Sequence, residues 1–377
     1  MGRCTELIKS YEALTKGMKL RPRPVPTPIW WMSIATLTRM DPRLYSLWAE
    51  GIEPSVCDWW RRLDRSGDCE ICDRPVEEID EVWEYETLDD GAVARLVGFR
   101  KLCRRCHLTT HMNLAERAWM AERVLGWLQA INGLSRAEAI RMVRLAAEVW
   151  RCLNSVPRGK WTFELPAVED EGDRRALETL LNSMARSELY DVSGGWVWTT
   201  ESERIRPVEA EEALESAPSP AELAKRAESL GLRPLRDELE HAVGLLRSGV
   251  VQEAPGRSVT PIGKWIVFLP TAEAVELFRR VAKGIAAGES PALQAKVSIE
   301  MEDRKVVIVY TPNFLDVEAV AKTAKWLESL GARGLLTYKP DVFTLAGIYR
   351  GHPRFRPHVF EYRAYGEGPK GSLDQWL

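Results

Sequence analysis

The chain lacks a strong charge of either sign. Its 377 residues carry 52 Lys+Arg against 55 Asp+Glu, a formal net charge of −3. That balance excludes a globally basic nucleic-acid binder and confines any phosphate contact to local patches. No apolar run is long enough to span a bilayer. The N-terminal Met1-Gly-Arg-Cys-Thr-Glu6 has neither the apolar core of a signal peptide nor the Ser or Thr that myristoylation wants at position six. Asparagine and glutamine are scarce, at five and four residues, which leans towards a thermophilic source. The last third has no phosphate-loop glycine pattern, so a doubly wound nucleotide fold is not expected there. Of seven cysteines, Cys4, Cys57 and Cys152 are too scattered to form a disulfide framework. These absences together predict a protein of the reducing cytoplasm, with no membrane contact.

The other four cysteines are ordered. Cys69-x-x-Cys72 and Cys103-x-x-Cys106 are two knuckles whose thiolates close a tetrahedral site for structural Zn²⁺. The competing reading is four buried thiols, and this spacing rarely arises by chance. His107 and His111 follow the second knuckle. On a helix they share one face, where they either hold a second, harder metal such as Mg²⁺ or Mn²⁺, or cap the zinc lobe and touch phosphate. Between the knuckles, Val82–Glu86 is rich in β-formers, Asp89-Asp90-Gly91 supplies a turn, and Ala92–Phe99 returns antiparallel.

Knuckle, hairpin, knuckle and helix make the ββα-metal order. Here the chain resembles the HNH endonuclease family, through Cys69-Glu-Ile-Cys72, Asp80-Glu-Val-Trp-Glu-Tyr85, Leu96-Val-Gly-Phe99, Leu102-Cys-Arg-Arg-Cys-His107 and His111. The resemblance runs from Pro26 to about Phe163. It implies a strand histidine that activates water and a metal, held by strand and helix residues, that stabilises the leaving oxygen. In the subfamily that reads much the same, a histidine precedes Glu-Val-Trp, whereas this chain has Asp80. A carboxylate with a pKa of ~4 is a weak base but a good Mg²⁺ ligand. Asp80 therefore replaces either the base or a ligand, and Glu81 or a metal-bound water is the substitute base. The catalytic candidates are Asp80, Glu81, His107 and His111, or else Asp80 and Glu81 are ordinary solvated strand residues. Two basic clusters, Arg61-Arg62 with Arg65 and Arg100-Lys101 with Arg104-Arg105, bracket the knuckles and either are solvated charged faces or, as two clusters flanking one metal site favour, grip the phosphates of a nucleic acid, DNA rather than RNA.

The rest of the chain reads as helix and strand. Arg21–Pro28 is an extended proline-rich entry. Trp30-Trp31 either stack bases or, more commonly for such a pair, pack on the zinc lobe. Helices are expected over Ala115–Ile131, from the capping box Ser135-x-x-Glu138 to Trp150, and over Asp173–Glu188. Tyr190–Thr200 is a hairpin turning at Gly194-Gly195, and Pro207–Pro220 is the best linker candidate. Lys264–Pro270, Ala295–Glu300, Lys305–Tyr310 and Leu335–Lys339 are strands interleaved with helices at Ala272–Ala287 and Val317–Leu330. The expected fold is multidomain α+β: an HNH-like zinc lobe with flanking helices over 1–166, a small helix, hairpin and linker over 167–235, and an antiparallel sheet with helices on one face over 236–377.

Gly263-Lys-Trp, Ala295-Lys-Val-Ser298, Val309-Tyr-Thr311, Tyr338-Lys-Pro-Asp341 and Gly347-Ile-Tyr-Arg350 resemble a family labelled as phosphothreonine lyase domains, with a fold like the cap-binding translation factor 4E. The resemblance implies a lysine base and a histidine acid in a Lys-x-His element. Here that element is Lys296-Val-Ser298, so the acid is missing. The cations Lys264, Lys296, Lys339, Arg350, Arg354 and Arg356 either line a cleft for a phosphate-bearing ligand or are solvated and paired with acids such as Asp341. The leading function is action on nucleic acid by a metal-dependent HNH-type endonuclease whose active site is either impaired by Asp80 or served by a displaced base, fused to a phosphate-binding domain. The alternatives are a non-catalytic nucleic-acid or nucleotide binder with purely structural zinc, and a C-terminal lyase-like activity.

Overall fold

The β-formers around Asp89-Asp90 pair as one long hairpin. β1, Glu78–Leu88, runs antiparallel to β2, Gly91–Leu102, in the computed structural model, which describes residues 2–111, 120–215, 217–249, 251, 254 and 256–365. Gly91 has to be glycine, because a Cβ there would stand 2.4 Å from the Lys160 carbonyl oxygen. The register slips between Val82 and Trp83. Such a bulge bends its strand and re-aims the neighbouring side chains, and this one lies directly after Asp80 and Glu81. β3, Trp161–Glu164, pairs parallel to the start of β2 and completes a three-stranded sheet.

The chain divides into two units, Met1–Ser187 and Glu188–Leu377, and is mixed α+β throughout. In the first unit the capping box at Ser135 and Glu138 opens the helix Arg136–Asn154 as expected. The helix expected over Ala115–Ile131 is found at Ala121–Asn132, and Trp119 with the rest of residues 112–119 lies outside the described residues. One expectation is overturned. Cys4 and Cys152 form a disulfide, with 5.7 Å between their Cα atoms. The helices Gly2–Thr15 and Arg136–Asn154 lie side by side, a tertiary contact that spacing along the sequence does not report. The scatter of these cysteines along the sequence therefore did not keep two of them from pairing. Among the described residues no helix is long and apolar enough to cross a membrane.

The second unit is built on one eight-stranded sheet. Its strands are β4 (Tyr190–Ser193), β5 (Trp196–Thr199), β6 (Arg233–Pro234), β7 (Gly263–Pro270), β8 (Gln294–Ser298), β9 (Arg304–Thr311), β10 (Gly334–Pro340) and β11 (Phe360–Ala364). They are arranged β4-β5-β8-β9-β7-β10-β11-β6 with every neighbour antiparallel. Strand alternation gives the sheet two unlike faces. Trp265 and Val267 of β7, Val307 and Val309 of β9, and Leu336 and Tyr338 of β10 are fully buried. On this side Trp265 Nε1 donates to the Val320 carbonyl of the helix Val317–Ser329. The opposite side carries Lys264, Ile266 and Phe268, the last 56% exposed.

The separate element expected over 167–235 is divided. Its helix, Glu171–Arg186, belongs to the first unit, and its hairpin is the β4–β5 edge of the second unit's sheet. The turn glycines Gly194 and Gly195 both have positive φ, as the hairpin reading required. The partner of β5 is β8, about a hundred residues away, so local sequence shows the hairpin and not its attachment. The presumed linker also holds a helix, Ala210–Glu215.

Tyr338 fills the core beneath β7 and bonds its hydroxyl to Thr311. A Cβ on Gly263 would lie 2.3 Å from the Tyr338 oxygen and 2.6 Å from its ring. Gly263→Ala should therefore destabilise the second unit by about 1–3 kcal/mol through overpacking. Calorimetry should show its transition lowered by several degrees while that of the first unit stays in place.

Candidate metal centres

Both knuckles are shaped by their backbones. After Cys69 the chain turns so that Cys72 N–H and Asp73 N–H reach the Cys69 carbonyl at 3.3 and 3.1 Å. Asp73 closes the turn at φ 56°, a left-handed conformation that Asp tolerates better than most residues. Cys103 precedes the helix Arg104–Thr110 and accepts His107 N–H at 3.0 Å. The pairing Glu78↔Leu102 at the open end of the hairpin brings the knuckles together. Cys72 Sγ lies 3.6 Å from both Cys103 Sγ and Cys106 Sγ, and all four sulfurs fall within 4.8 Å of one another. A tetrahedron with metal–sulfur bonds of about 2.3 Å has edges of about 3.8 Å, so this group could hold a metal ion. Burial pushes the Cys106 thiol well above its ordinary range, and a cation would reverse that shift. The Trp127 indole donates to Cys106 Sγ at 3.3 Å, and Leu20, Ile71, Leu102, Leu125 and Leu128 close around the cluster.

The second group is Asp80, His107 and His111, whose ligand atoms also lie within 4.8 Å and could hold a metal ion. The short helix sets it up, with His107 inside the last turn and His111 as its C-cap. Asp80 Oδ1 stands 2.9 Å from His111 Nε2 and 3.9 Å from His107 Nε2. Its other oxygen accepts from Arg100 at 3.1 Å and pairs with Arg23 at 3.3 Å. The Asp80 side chain is only 2% exposed. Burial alone would raise its pKa, but the His111 hydrogen bond and the Arg23 and Arg100 charges outweigh that and hold the carboxyl well below the usual range. Burial and the neighbouring His111 push His107 down to about 4, so at neutral pH the ring is neutral and one of its two nitrogens has a lone pair for a metal.

Glu81 sits beside this group. Its carboxylate accepts Ala35 N–H at 3.1 Å and Trp83 Nε1–H at 2.8 Å. Burial, with the nearby Asp80 charge adding to it, pushes its pKa up to about 7. Glu81 is thus the neighbouring group that titrates near neutrality. Asp80, Glu81, His107 and His111 all line one cavity of about 370 Å³.

The basic clusters are used differently from expectation. Arg100 is consumed by Asp80, Lys101 by Asp64 at 2.5 Å, and Arg105 lies 3.8 Å over the Trp127 ring. Arg23 was not singled out by sequence. It comes from the proline-rich entry, whose backbone runs beside the helix end through Arg23 N–H to the Thr110 carbonyl at 2.8 Å. No residue pattern in the entry signals that contact.

In the second unit, Lys264, Lys296 and Lys339 share the sheet face that carries Ile266 and Phe268, Lys296 half-buried and the other two buried. Lys264 is opposite Lys339 across β7 and β10. Lys264 Nζ binds Asp341 at 2.5 Å and Thr344 at 3.1 Å. Lys339 Nζ donates to the Ile348 carbonyl at 2.8 Å and lies 3.8 Å above the Tyr349 ring. Lys296 Nζ rests over Trp196 at 4.2 Å and Trp198 at 4.4 Å. Burial and the Lys264 charge lower both Lys296 and Lys339 to about 8. Of the three arginines, Arg350 is exposed, Arg354 lies over Phe355, and Arg356 pairs with Glu361.

Elemental analysis of the purified protein should return at least one equivalent of transition metal per chain. Cys106→Ser should lose that equivalent and lower the melting temperature of the first unit, because the hairpin it anchors has little apolar area of its own. A metal-free, fully folded chain would remove the first centre.

Residues 194–347 match the family model described as basophilic leukemia-expressed protein Bles03, a similarity that takes in Lys264, Lys296 and Lys339 and none of the first unit.

Proposed function

We propose that the first unit is an HNH-type nuclease lobe that cleaves DNA with a divalent metal, braced by zinc on the four cysteines, and that the second unit binds phosphate groups. The observation that carries this reading is the meeting of Asp80, His107 and His111 beside the cysteine cluster. Asp80, His107 and His111 would hold Mg²⁺ or Mn²⁺, which supplies Lewis-acid stabilisation of the leaving oxygen. Glu81 serves as the general base: its carboxylate takes the proton of the water that adds to phosphorus as the ester bond breaks. A base with a pKa of about 7 is well matched to that task at neutral pH. Asp80 then acts as a ligand, which fits a carboxyl held ionised.

The charge around Asp80 adds a condition. Two guanidiniums offset the charges of Asp80 and ionised Glu81, so a divalent ion alone gains little net attraction. A phosphodiester supplies the missing negative charge, and metal and nucleic acid should bind together. The same arginines also favour a second reading, a non-catalytic binder that holds a phosphate at this spot without cutting it. Lyase chemistry in the second unit would need an acid that Lys296-Val-Ser298 does not provide. Its lysine-bearing face instead supports anion binding at Lys296, half-buried over two indoles.

Plasmid and oligonucleotide cleavage in Mn²⁺ should be detectable, and His107→Ala and His111→Ala should abolish it with zinc content unchanged. The wild-type rate should rise with pH through about 7 and then level, because only ionised Glu81 accepts the proton. Glu81→Gln should lower the plateau about 100-fold or more. Metal-dependent binding with no cleavage at any pH would favour the non-catalytic reading. For the second unit, Lys296→Ala in the full chain should weaken inorganic pyrophosphate binding, and added salt should weaken it further.

A further inference from the structure

A site that only cuts a duplex backbone needs a shallow polar groove, because the scissile phosphate lies on the outside of the helix. The cavity beside Asp80, His107 and His111 is different. At about 370 Å³ it falls in the range of pockets that enclose a small ligand. Its walls include Val25, Ile29, Trp30, Ile79 and Trp83, an apolar and aromatic surface that a phosphate has no use for. Trp30 is half-buried on the short helix Thr27–Trp31. It meets the His111 ring at 5.2 Å between centroids with the planes 73° apart, so an indole stands one ring away from the candidate metal ligands. The Ser33 and Thr36 hydroxyls, 3.0 Å from each other, also border the cavity and can bond to the polar edge of a planar ring. The charge on the wall is mixed: Glu78, Asp80 and Glu81 line the cavity with the exposed Arg39, and Arg23 and Arg100 stand behind Asp80.

A pocket with one apolar, aromatic wall beside a group that could hold a metal ion fits one class of ligand, a nucleotide whose base is out of the stack. We propose that the cavity receives an unpaired nucleobase stacked on Trp30, next to the phosphate held at Asp80, His107 and His111, so that the substrate is single-stranded or locally unpaired DNA. This rests on the nuclease reading above. A paired base would have to be unstacked before it could enter, and a single strand is free of most of that cost.

The test uses the full-length protein in buffer with added Ca²⁺ as the divalent ion, and a short single-stranded DNA carrying 2-aminopurine, alone and annealed to its complement. The single strand should bind at least tenfold more tightly than the duplex, and binding should quench 2-aminopurine. Trp30→Ala should remove the quench and weaken single-strand binding about tenfold, with duplex affinity and zinc content unchanged. If Trp30→Ala does not fold, Trp30→Leu keeps the apolar wall without the aromatic face and should give the same loss. Equal affinity for strand and duplex with no quench would overturn the pocket assignment, whether or not Mn²⁺-dependent cleavage is present. Quenching without cleavage of either substrate would support the pocket and remove the nuclease reading instead.

Discussion

Four sulfur atoms packed within 4.8 Å of each other in an apolar setting can be neutral thiols or can surround a cation, but cannot be bare thiolates. Much of the first unit hangs on which it is. The hairpin's open end, the helix that starts at Cys103 and the loop that closes at Asp73 all terminate on these side chains. The Asp80 group inherits its geometry from them. His107 is placed by the helix turn that Cys103 begins, and Asp80 lies two residues into the strand that follows the first knuckle. A shift in the sulfur cluster would therefore be transmitted to the histidines through one turn of helix.

The local pieces of this arrangement are legible in the residues. The C-x-x-C spacing, the β-formers around Asp89-Asp90, the histidines four apart and the Ser135 capping box each depend on short-range chemistry, and each is found where that chemistry puts it. What is not legible is contact between distant segments. Arg23 reaches Asp80 from a proline-rich stretch, Cys4 finds Cys152 through helix packing, and β5 docks on β8 across a long excursion of chain. Arg100 shows the same limit from the other side. In sequence it belongs to a basic run expected to grip phosphates, but the strand register puts it opposite Asp80, where its charge goes into the site.

In the second unit, alternation along strands separates two tasks. One face is apolar and covered by helices, and the other collects lysines over aromatic rings. Lysine ammonium groups over indole and phenol rings gain cation–π attraction while losing water, which is why Lys296 and Lys339 titrate low. Their charge is accordingly easier to remove than that of a surface lysine, and an anion arriving there would restore it.

The Cys4–Cys152 bond has a consequence beyond joining two helices. It closes a covalent ring of 148 residues, and every candidate ligand of both centres lies inside that ring. In the chain-entropy picture such a closure is worth on the order of 5 kcal/mol, drawn from the unfolded state. The ring also limits how far the ligands can drift apart when the unit unfolds. Metal capture after denaturation then becomes an encounter within one loop at a raised local concentration, and reducing conditions would slow recovery of the centres without touching a single ligand.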